Sequence, residues 1–337
     1  KGTAVDEVRQ YSYDANGNQT DVKNTKTGQT ESYTYDAENR LSKVSVTDKD
    51  GKTAVIQQNR YNGDGQRIQK VEGSKTTNYY YQDGVVSYTT DGENSQTSQN
   101  LIGTDGNILA TQRYGSDHTD YLLYHKDIQG STTSLVKEDG SADATYQYTD
   151  FGETIIHGDD QAKNEVCYTG GIYDQSTGLY YLNARYYNPE DGRFMTEDTY
   201  RGDTTKSETG HLYVYCANNP VNYVDPSGHF LVSTAVLVGV GVGGIVGAIA
   251  GSYKGRLVAK RLGYKGKKRN LFIATYGIKG AAVGAIIGAF AGYGIGVCYG
   301  ASSSSGLAVK GVNSAIRRVA SDQNKVRHIM QSKHAWT

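Results

Sequence analysis

The side chains that most often carry out chemistry are sparse and widely spaced in this chain of 337 residues. Its three cysteines form neither a disulfide framework nor a zinc pattern. His328 and His334 stand six residues apart, a spacing that does not place two ligands on one helix face. Asp225-Pro226-Ser227-Gly228 has the composition of a tight turn with proline at its second position. The sequence therefore predicts no metal site and no cofactor.

The front of the chain is a repeat array. The stretch YSYDANGNQTDV begins at Tyr11 and YTYDAENRLSKV at Tyr33, so that their Tyr-Asp pairs lie 22 residues apart, and weaker echoes begin at Arg60 and Tyr146. Each unit predicts a short strand, a turn of Asp, Asn and Gly, and a second strand. A two-stranded hairpin cannot bury its apolar face alone, so the units are expected to stack into a continuous antiparallel sheet.

Tyrosine takes the place of the usual large apolar residues, with 29 tyrosines against five phenylalanines and one tryptophan. A tyrosine ring covers much of a sheet surface while its hydroxyl keeps a hydrogen-bond partner. In the stretch GLYYLNARYYNPEDGRF, we expect the rings of Tyr180, Tyr181, Tyr186 and Tyr187 to pack against sheet or chain. The alternative is that exposed rings bind sugars.

The net charge of zero hides two oppositely charged segments. Residues 1–229 contain 34 acidic and 20 basic residues, whereas residues 230–337 contain one acidic and 15 basic residues. Such asymmetry suggests segments with different partners, including each other. Because the chain begins at Lys1 without a methionine or a signal-like segment, we interpret it as the end of a longer protein.

Two uncharged runs, residues 230–252 and 280–305, follow the repeats and flank a stretch with eight basic residues, Lys254 to Asn270. Glycines at four-residue spacing lie on one face of a helix, where small residues let two helices pack closely in lipid. The pattern predicts an α-helical glycine-zipper hairpin that is long enough to span a bilayer. The zipper glycines are Gly239, Gly243, Gly247, Gly251, Gly280, Gly284, Gly288, Gly292, Gly296 and Gly300.

Three roles fit this hairpin. It inserts in a target membrane and helps another segment across, it forms a pore by itself, or it packs against the acidic front part as a plug. The uncharged runs meet the length of a membrane span, which favours a membrane role. A flexible linker, residues 301–306, and a basic amphipathic helix are predicted after it.

Residues 11–228 carry a family resemblance. The Tyr-Asp units resemble YD repeats, Tyr124–Glu153 resembles the His-x-Asp-x-x-Gly-Ser segment of the RHS repeat-associated core, and residues 170–198 and 213–228 resemble its closing signature. The chain is thus similar to the C-terminal portion of RHS/YD-repeat polymorphic toxins, which include wall-associated-protein-like members. The resemblance implies a mainly β fold, in which stacked hairpins form a hollow shell that the core motif closes and a variable toxin follows.

This resemblance divides the chain into four parts and suggests partners for them. They are β-repeats (1–120), the RHS core (121–229), a pretoxin glycine-zipper hairpin (230–301), and a linker with the start of a toxin module (302–337). The expected protein is secreted or at the cell surface and acts in interbacterial competition. Its expected partners are its own toxin segment, a target-cell membrane and an immunity protein. The rival interpretation is a carbohydrate-binding repeat protein, anchored by the hairpin, whose partner is cell-wall glycan.

Many members of the family cut themselves after the core by means of two aspartates, one acting as base on a water and the other, protonated, polarising the carbonyl. Asp225 matches the second family position, and Asp198 matches the first in part, since Thr199 replaces a proline. Arg193 matches a family arginine that holds the site. His229 stands where self-cleaving members have leucine. The implied cut lies between about His229 and Leu231.

The final residues resemble the opening of C-terminal toxin modules that are predicted ribonucleases. His328, Lys333 and His334 would then serve acid–base and phosphate-binding roles. The alternative is that these residues form a basic amphipathic helix without a catalytic role. A nuclease module would extend beyond Thr337, and nucleic acid is an expected partner only if that module is present.

Overall fold

The computed structural model describes residues 8–103, 106–158, 163–199, 201, 210–229 and 232–300. Within helices, the side chains of residues 235–245 and 290–300 are outside this description. The chain divides into two units, residues 1–231 and 232–337. The fold is mainly antiparallel β structure followed by a helical hairpin, which confirms the predicted fold class. The predicted basic helix after residue 301 lies outside the described residues.

One sheet of 14 strands dominates the first unit. Every strand pairs with its neighbours in chain order, and every pairing is antiparallel, as the hairpin repeats predict. The strands are β1 (Arg9–Tyr13), β2 (Gln19–Asn24), β3 (Thr30–Tyr35), β4 (Leu41–Thr47), β5 (Thr53–Tyr61), β6 (Arg67–Glu72), β7 (Lys75–Gln82), β8 (Val85–Thr90), β9 (Gln96–Ile102), β10 (Ile108–Tyr114), β11 (Thr119–Lys126), β12 (Thr132–Val136), β13 (Ala142–Tyr148) and β14 (Thr154–Gly158).

The repeat turns share one geometry. Asp14 N donates to Asn18 O at 2.9 Å, and the Asp14 carboxylate accepts from the amides of Asn16 and Asn18 at 2.9 and 2.8 Å. The fourth turn residue is left-handed, with φ of +77° at Gly17 and +61° at Asn39 in the next repeat. Glycine and asparagine tolerate this conformation, which explains the Asp-x-x-Gly/Asn spacing of the repeats.

Tyrosine hydroxyls connect successive hairpins. Tyr35, at the end of β3, donates to the carbonyl oxygen of Gln19, the first residue of β2, at 2.8 Å. The same bond recurs from β5, β7 and β13 to the first residues of β4, β6 and β12; the pairs are Tyr61–Leu41, Tyr81–Arg67 and Tyr148–Thr132. Burial raises the pKa of Tyr35 well above its usual value, so the hydroxyl remains a donor. Phenylalanine at these positions would leave the carbonyl oxygens without this donor.

A smaller sheet, which we call the cap, packs against the large sheet. It contains β15 (Ile172–Asp174), β16 (Leu179–Leu182), β17 (Arg185–Asn188) and β18 (Arg193–Phe194), again antiparallel in chain order. Short 3₁₀ turns at Tyr168–Gly170 and Cys216–Asn218 and a short strand β19 (Tyr223–Val224) complete the unit.

The cap strands are buried on both faces. Tyr180 and Tyr187 point into a core with β10–β13 residues such as Leu122 and Leu135, whereas Tyr181 and Tyr186 point into a second core with Leu41 of β4. All four tyrosines are at most 3% exposed, which confirms the expectation that their rings are packed. Since alternate residues of a strand face opposite sides, the adjacent tyrosine pairs serve both cores.

A buried ion cluster joins the large sheet to the cap. The Arg67 guanidinium of β6 binds the carboxylate of Asp174 of β15, and both side chains are fully buried. Lys70 Nζ lies 3.1 Å from Asp174 Oδ1 and 2.9 Å from Glu165 Oε1. Burial alone would raise the pKa of Asp174, but the charges of Arg67 and Lys70 lower it to about 2. Its stabilising contribution is thus present above the carboxylate's ordinary pKa and is lost as the pH falls through about 2.

The second unit consists of a short strand β20 (Val232–Ser233) and two antiparallel helices, α1 (Thr234–Arg261) and α2 (Gly266–Gly300). The connection between the helices is only four residues long and contains Gly263, whose φ is +68°. A left-handed glycine just past a helix end is a common C-terminal stop signal. The sequence pattern of two uncharged runs around a basic stretch thus folds as a helical hairpin.

Candidate functional site

The DPSG segment forms a turn around the carboxylate of Asp225. Asp225 Oδ1 accepts hydrogen bonds from Gly228 N at 2.9 Å and from His229 N at 3.1 Å. Gly228 has φ of +76°, and a Cβ there would lie 2.5 Å from the carbonyl oxygen of Leu182 in the cap. Glycine is therefore required both by the backbone conformation and by the close approach of β16.

Arg185, the first residue of β17, brings the two candidate aspartates together. Its Nη2 lies 2.6 Å from Asp198 Oδ2 and 3.9 Å from Asp225 Oδ2, and its Nε donates to the carbonyl oxygen of Gly228. Asp198 is 9% exposed and Asp225 is 3% exposed. A buried guanidinium thus offsets the repulsion between two nearly buried carboxylates and holds the turn carbonyl between them.

Two further contacts hold Arg185 in place. Its Nη1 donates to Leu212 O at 3.0 Å, and its guanidinium carbon lies 3.6 Å from the centre of the Phe194 ring. Burial lowers the pKa of Arg185, and the charges of Asp198 and Asp225 oppose that shift. An arginine starts from so high a pKa that the group remains a cation. The site is therefore a fixed positive charge with two carboxylates around it.

His229 is the residue that directly follows the turn, and its ring contacts the site. Its Nδ1 lies 3.0 Å from Asp198 Oδ1, while the backbone amide of Asp198 donates to Leu212 O at 3.0 Å. The residue that follows the turn is therefore in direct contact with Asp198. Residues 230 and 231, which follow, are outside the described residues.

The structure places Arg193 elsewhere. Arg193 Nη1 donates to Asn218 Oδ1 at 2.7 Å and to Gly192 O at 2.9 Å, and the guanidinium between the aspartates is that of Arg185. Sequence reasoning missed Arg185, although a signal was present. An arginine that directly precedes a Tyr-Tyr pair in a buried strand needs an acidic partner, because charged residues are almost never fully buried alone.

The other candidate catalytic residues, His328, Lys333 and His334, lie outside the described residues. Within the described ranges, no group of three or more His, Cys, Asp or Glu side chains is arranged to hold a metal ion. The Cys167 and Cys216 thiols are buried, and burial raises the pKa of Cys216.

In the hairpin, four of the predicted zipper glycines lie where the helices touch. A Cβ on Gly247 would lie 2.1 Å from Gly280 O, one on Gly280 would lie 2.1 Å from Gly247 O, and one on Gly251 would lie 2.1 Å from Tyr276 O. Any side chain at these positions would push the helices apart. Gly284 belongs to the same contact, since its Cα would lie 2.9 Å from a Cβ on Gly247.

Of the other predicted zipper glycines, Gly288 of α2 is buried. The surroundings of the remaining five, Gly239, Gly243, Gly292, Gly296 and Gly300, are outside the described side chains.

The outer surface of the hairpin is apolar. Ile249 is 67% exposed, Leu271 72% and Ile278 70%. Among the described residues, one helical stretch has the length and composition of a membrane span, Gly266–Ala289, with a mean hydropathy of 1.6. Only 11% of the residues in its most apolar part are buried. The described glycines lie between the helices, and the large aliphatic residues face outward. In a helix pair of a water-soluble protein, the large aliphatic residues are instead buried between the helices.

Comparisons with known proteins identify the repeats and the core. A family model described as the teneurin YD-shell matches residues 93–221, and one described as the RHS repeat matches residues 13–53. These residues of the first unit therefore belong to the RHS/YD-repeat family. It is 38% identical over 226 residues to the tRNA3(Ser)-specific nuclease WapA of Bacillus spizizenii and 37% identical to the tRNA nuclease WapA of Bacillus subtilis. Each alignment covers 65% of this chain but only 9% of the relative.

More distant relatives and solved structures were also found. Teneurin-m of Drosophila melanogaster is 26% identical over 255 residues, which is 66% of this chain and 9% of that protein. The crystal structure of TcdB2-TccC3-Cdc42 aligns with 66% of this chain and 13% of its own, at 19% identity and a TM-score of 0.47. The Photorhabdus luminescens Tc holotoxin pore with a TccC3 mutation aligns with 65% and 13%, at 18% identity and a TM-score of 0.47.

Proposed function

We propose that this chain is the C-terminal part of a secreted RHS/YD-repeat toxin whose shell encapsulates and delivers a variable toxin in interbacterial competition. The observation that carries the proposal is the cap, which fastens two distant parts of the repeat sheet through two cores and a buried ion cluster. Such a cap can seal a repeat sheet around a cargo. The segment after it is strongly basic and the segment before it acidic, so that the two attract each other.

The cargo proposed is a nuclease that starts within residues 302–337 and acts on RNA. Support comes from the similarity to two WapA proteins that are named tRNA nucleases. A producing cell would need an immunity protein against such a cargo. The four tyrosines of the cap do not support the carbohydrate-binding alternative, because their rings are buried and cannot stack on a sugar.

Encapsulation predicts that the basic region is protected from protease. In the complete gene product, trypsin sites after residue 231 should survive a digestion that cuts the same region, expressed alone, within minutes, because the shell excludes the protease. Peptide mapping by mass spectrometry over a time course measures this. Equal digestion of the two samples would show that the tail is not enclosed.

A second proposed activity is self-cleavage just after the DPSG turn. Arg185 binds the carbonyl of Gly228 and Asp225 accepts from the amide of His229, so the backbone that leads into the proposed cut is fixed beside two carboxylates. One aspartate would take a proton from a water that attacks a peptide carbonyl, and the other, protonated, would polarise that carbonyl. Arg185 would stabilise the negative charge that develops, as a fixed donor in a buried site.

Asp198→Asn, Asp225→Asn and Arg185→Gln should each slow release of the basic tail by at least about 10²-fold, the usual contribution of an acid–base group. Intact-mass spectrometry of the expressed complete product measures the fraction cut. Asp36→Asn is the matched control: it makes the same substitution in a repeat turn and should cleave like the parent. A tail fragment of identical amount in every variant would assign the cut to an outside protease.

The third proposal is that the hairpin is membrane-active and helps the cargo reach a target cell. It rests on the exposed aliphatic surface and on the glycine contact between the helices. Pore formation by the hairpin itself is the alternative within this role. Either way, tight packing of the two helices is what lets an apolar hairpin act as a unit in lipid.

Gly247→Leu with Gly280→Leu should reduce dye leakage from anionic liposomes caused by a peptide of residues 230–301, although it raises hydrophobicity, because the helices can no longer touch. The matched control, Ala250→Leu with Ala282→Leu, adds larger side chains at exposed positions and should leak at least as much as the parent. Fluorescence dequenching measures the leakage. If the glycine variant leaks as fast as the control, hydrophobicity alone explains the activity.

A further inference from the structure

All but one of the charges of the described hairpin lie at one end. Eight basic residues occur between Lys254 and Arg269, and Lys279 is the only other charged residue in residues 232–300. This segment comprises the last two turns of α1, the connection and the first turn of α2. We call Lys254–Arg269 the tip. The opposite end of the hairpin, where the chain enters at Thr234 and leaves at Gly300, is uncharged.

Of the tip charges, Lys260 and Arg261 in the last turn of α1 suit the helix dipole, whereas those at the start of α2 oppose it. Lys267, Lys268 and Arg269 occupy the first turn of α2, where the helix dipole favours anions and disfavours cations. Neither helix contains an acidic residue that could pair with them. The tip is therefore a concentrated positive charge whose counterpart lies outside the hairpin.

The body of the hairpin has the length and surface of a bilayer-spanning element. In α1 the 19 residues from Thr234 to Ser252 are uncharged and extend about 28 Å, close to the hydrocarbon thickness of a bilayer. In α2, Lys279 directly precedes Gly280, which meets Gly247, so one charge falls within this length on the side of the tip. A lysine near the end of a span can extend its side chain along the helix to the interface. Val246, Ile249, Ile286 and Ile287 are 59% to 67% exposed around it. A lipid bilayer is the partner that covers an apolar ring of this length.

We infer that the hairpin enters an energised bilayer tip first, so that the tip crosses to the electrically negative side while Thr234 and Gly300 stay on the side of arrival. This inference rests on the proposed membrane role. Because the helices are antiparallel and both chain ends lie at the uncharged end, a spanning hairpin has only two orientations. The acidic repeat unit joined to Thr234 is a large folded body, so the tip is the part that crosses.

The membrane potential supplies the driving force for this orientation. An elementary charge that crosses the full potential changes the insertion equilibrium by roughly 50-fold per 100 mV, and the tip carries eight. The interior of a living bacterium is electrically negative, which draws the tip inward. The hairpin then anchors the shell on the target, and the tail after Gly300 remains outside until another step moves it.

The experiment uses the 337-residue chain and vesicles that contain phosphatidylglycerol, with a potassium gradient and valinomycin to set the potential. Trypsin added outside spares a tip that has crossed. Mass spectrometry measures the protected fragment, and the inserted fraction is the excess over the same chain without vesicles, so that shielding by the repeat unit is subtracted. Detergent added before trypsin should abolish this excess.

Protection should rise at least tenfold when the vesicle interior is made 100 mV negative, and it should fall when the polarity is reversed. A tip variant with four of the eight charges removed should need about twice the potential for the same protection. A control variant with four exposed shell lysines removed should behave like the parent. The tip variant is Lys265→Gln, Lys267→Gln, Lys268→Gln and Arg269→Gln; the control variant is Lys23→Gln, Lys26→Gln, Lys49→Gln and Lys52→Gln.

Protection that is independent of the sign of the potential, or a tip variant that matches the parent, would overturn the inferred orientation while leaving the membrane role in place. Absence of vesicle binding at zero potential, measured by flotation, would overturn the membrane role and the orientation together. The two failures are therefore distinguished by separate readouts on the same sample.

Discussion

The buried pair of Arg67 and Asp174 is the interaction on which the rest of the structure depends. The two residues are 107 positions apart in sequence, one in the sixth strand of the repeat sheet and one in the first strand of the cap. The Arg67 guanidinium carbon lies 4.9 Å from the Tyr79 ring centre and 4.8 Å from that of Tyr181, so it is held between sheet and cap. Removing one partner from a buried pair leaves an uncompensated charge, which costs far more than the pair contributes.

The position of the cap determines where the cluster of Arg185, Asp198 and Asp225 forms. With β15 fixed on Asp174, β16 and β17 place Tyr181 and Tyr186 in one core and Tyr180 and Tyr187 in the other. The next residue outward along β17 is Arg185, which faces the DPSG turn. The arginine that contacts Asp198 and Asp225 therefore directly precedes Tyr186, so the position of the cap also fixes the position of this cluster.

Local features of the fold could be predicted from sequence, because local chemistry determines them. The Asp-x-x-Gly turns and the Tyr-Asp period predict antiparallel hairpins, and the glycine spacing predicts a helical hairpin. The roles of Arg67 and Arg185 could not be predicted, since their partners come from distant parts of the chain. For the same reason Arg193, which matches a family position, was expected at the aspartates, yet it binds Asn218.

Tyrosine is used throughout because this fold has thin cores with polar backbone at their edges. The hydroxyls of Tyr35, Tyr61, Tyr81 and Tyr148 each bond to a carbonyl of the preceding hairpin, while their rings pack beneath. The tyrosines of the repeats therefore both hydrogen-bond and pack, which accounts for the rarity of phenylalanine in the chain.

The most direct test of this account is hydrogen–deuterium exchange of the β16 amides, Leu179–Leu182, in the parent chain, in Asp174→Asn and in Asp143→Asn. Loss of the Asp174 charge should destabilise the cap by about 3–5 kcal/mol and so accelerate exchange there by roughly 10²- to 10⁴-fold. Asp143 pairs with a partly exposed lysine, and its substitution should change exchange by no more than a few-fold. Exchange of β16 at the parent's rate in Asp174→Asn would contradict the claim that this pair holds the cap to the sheet.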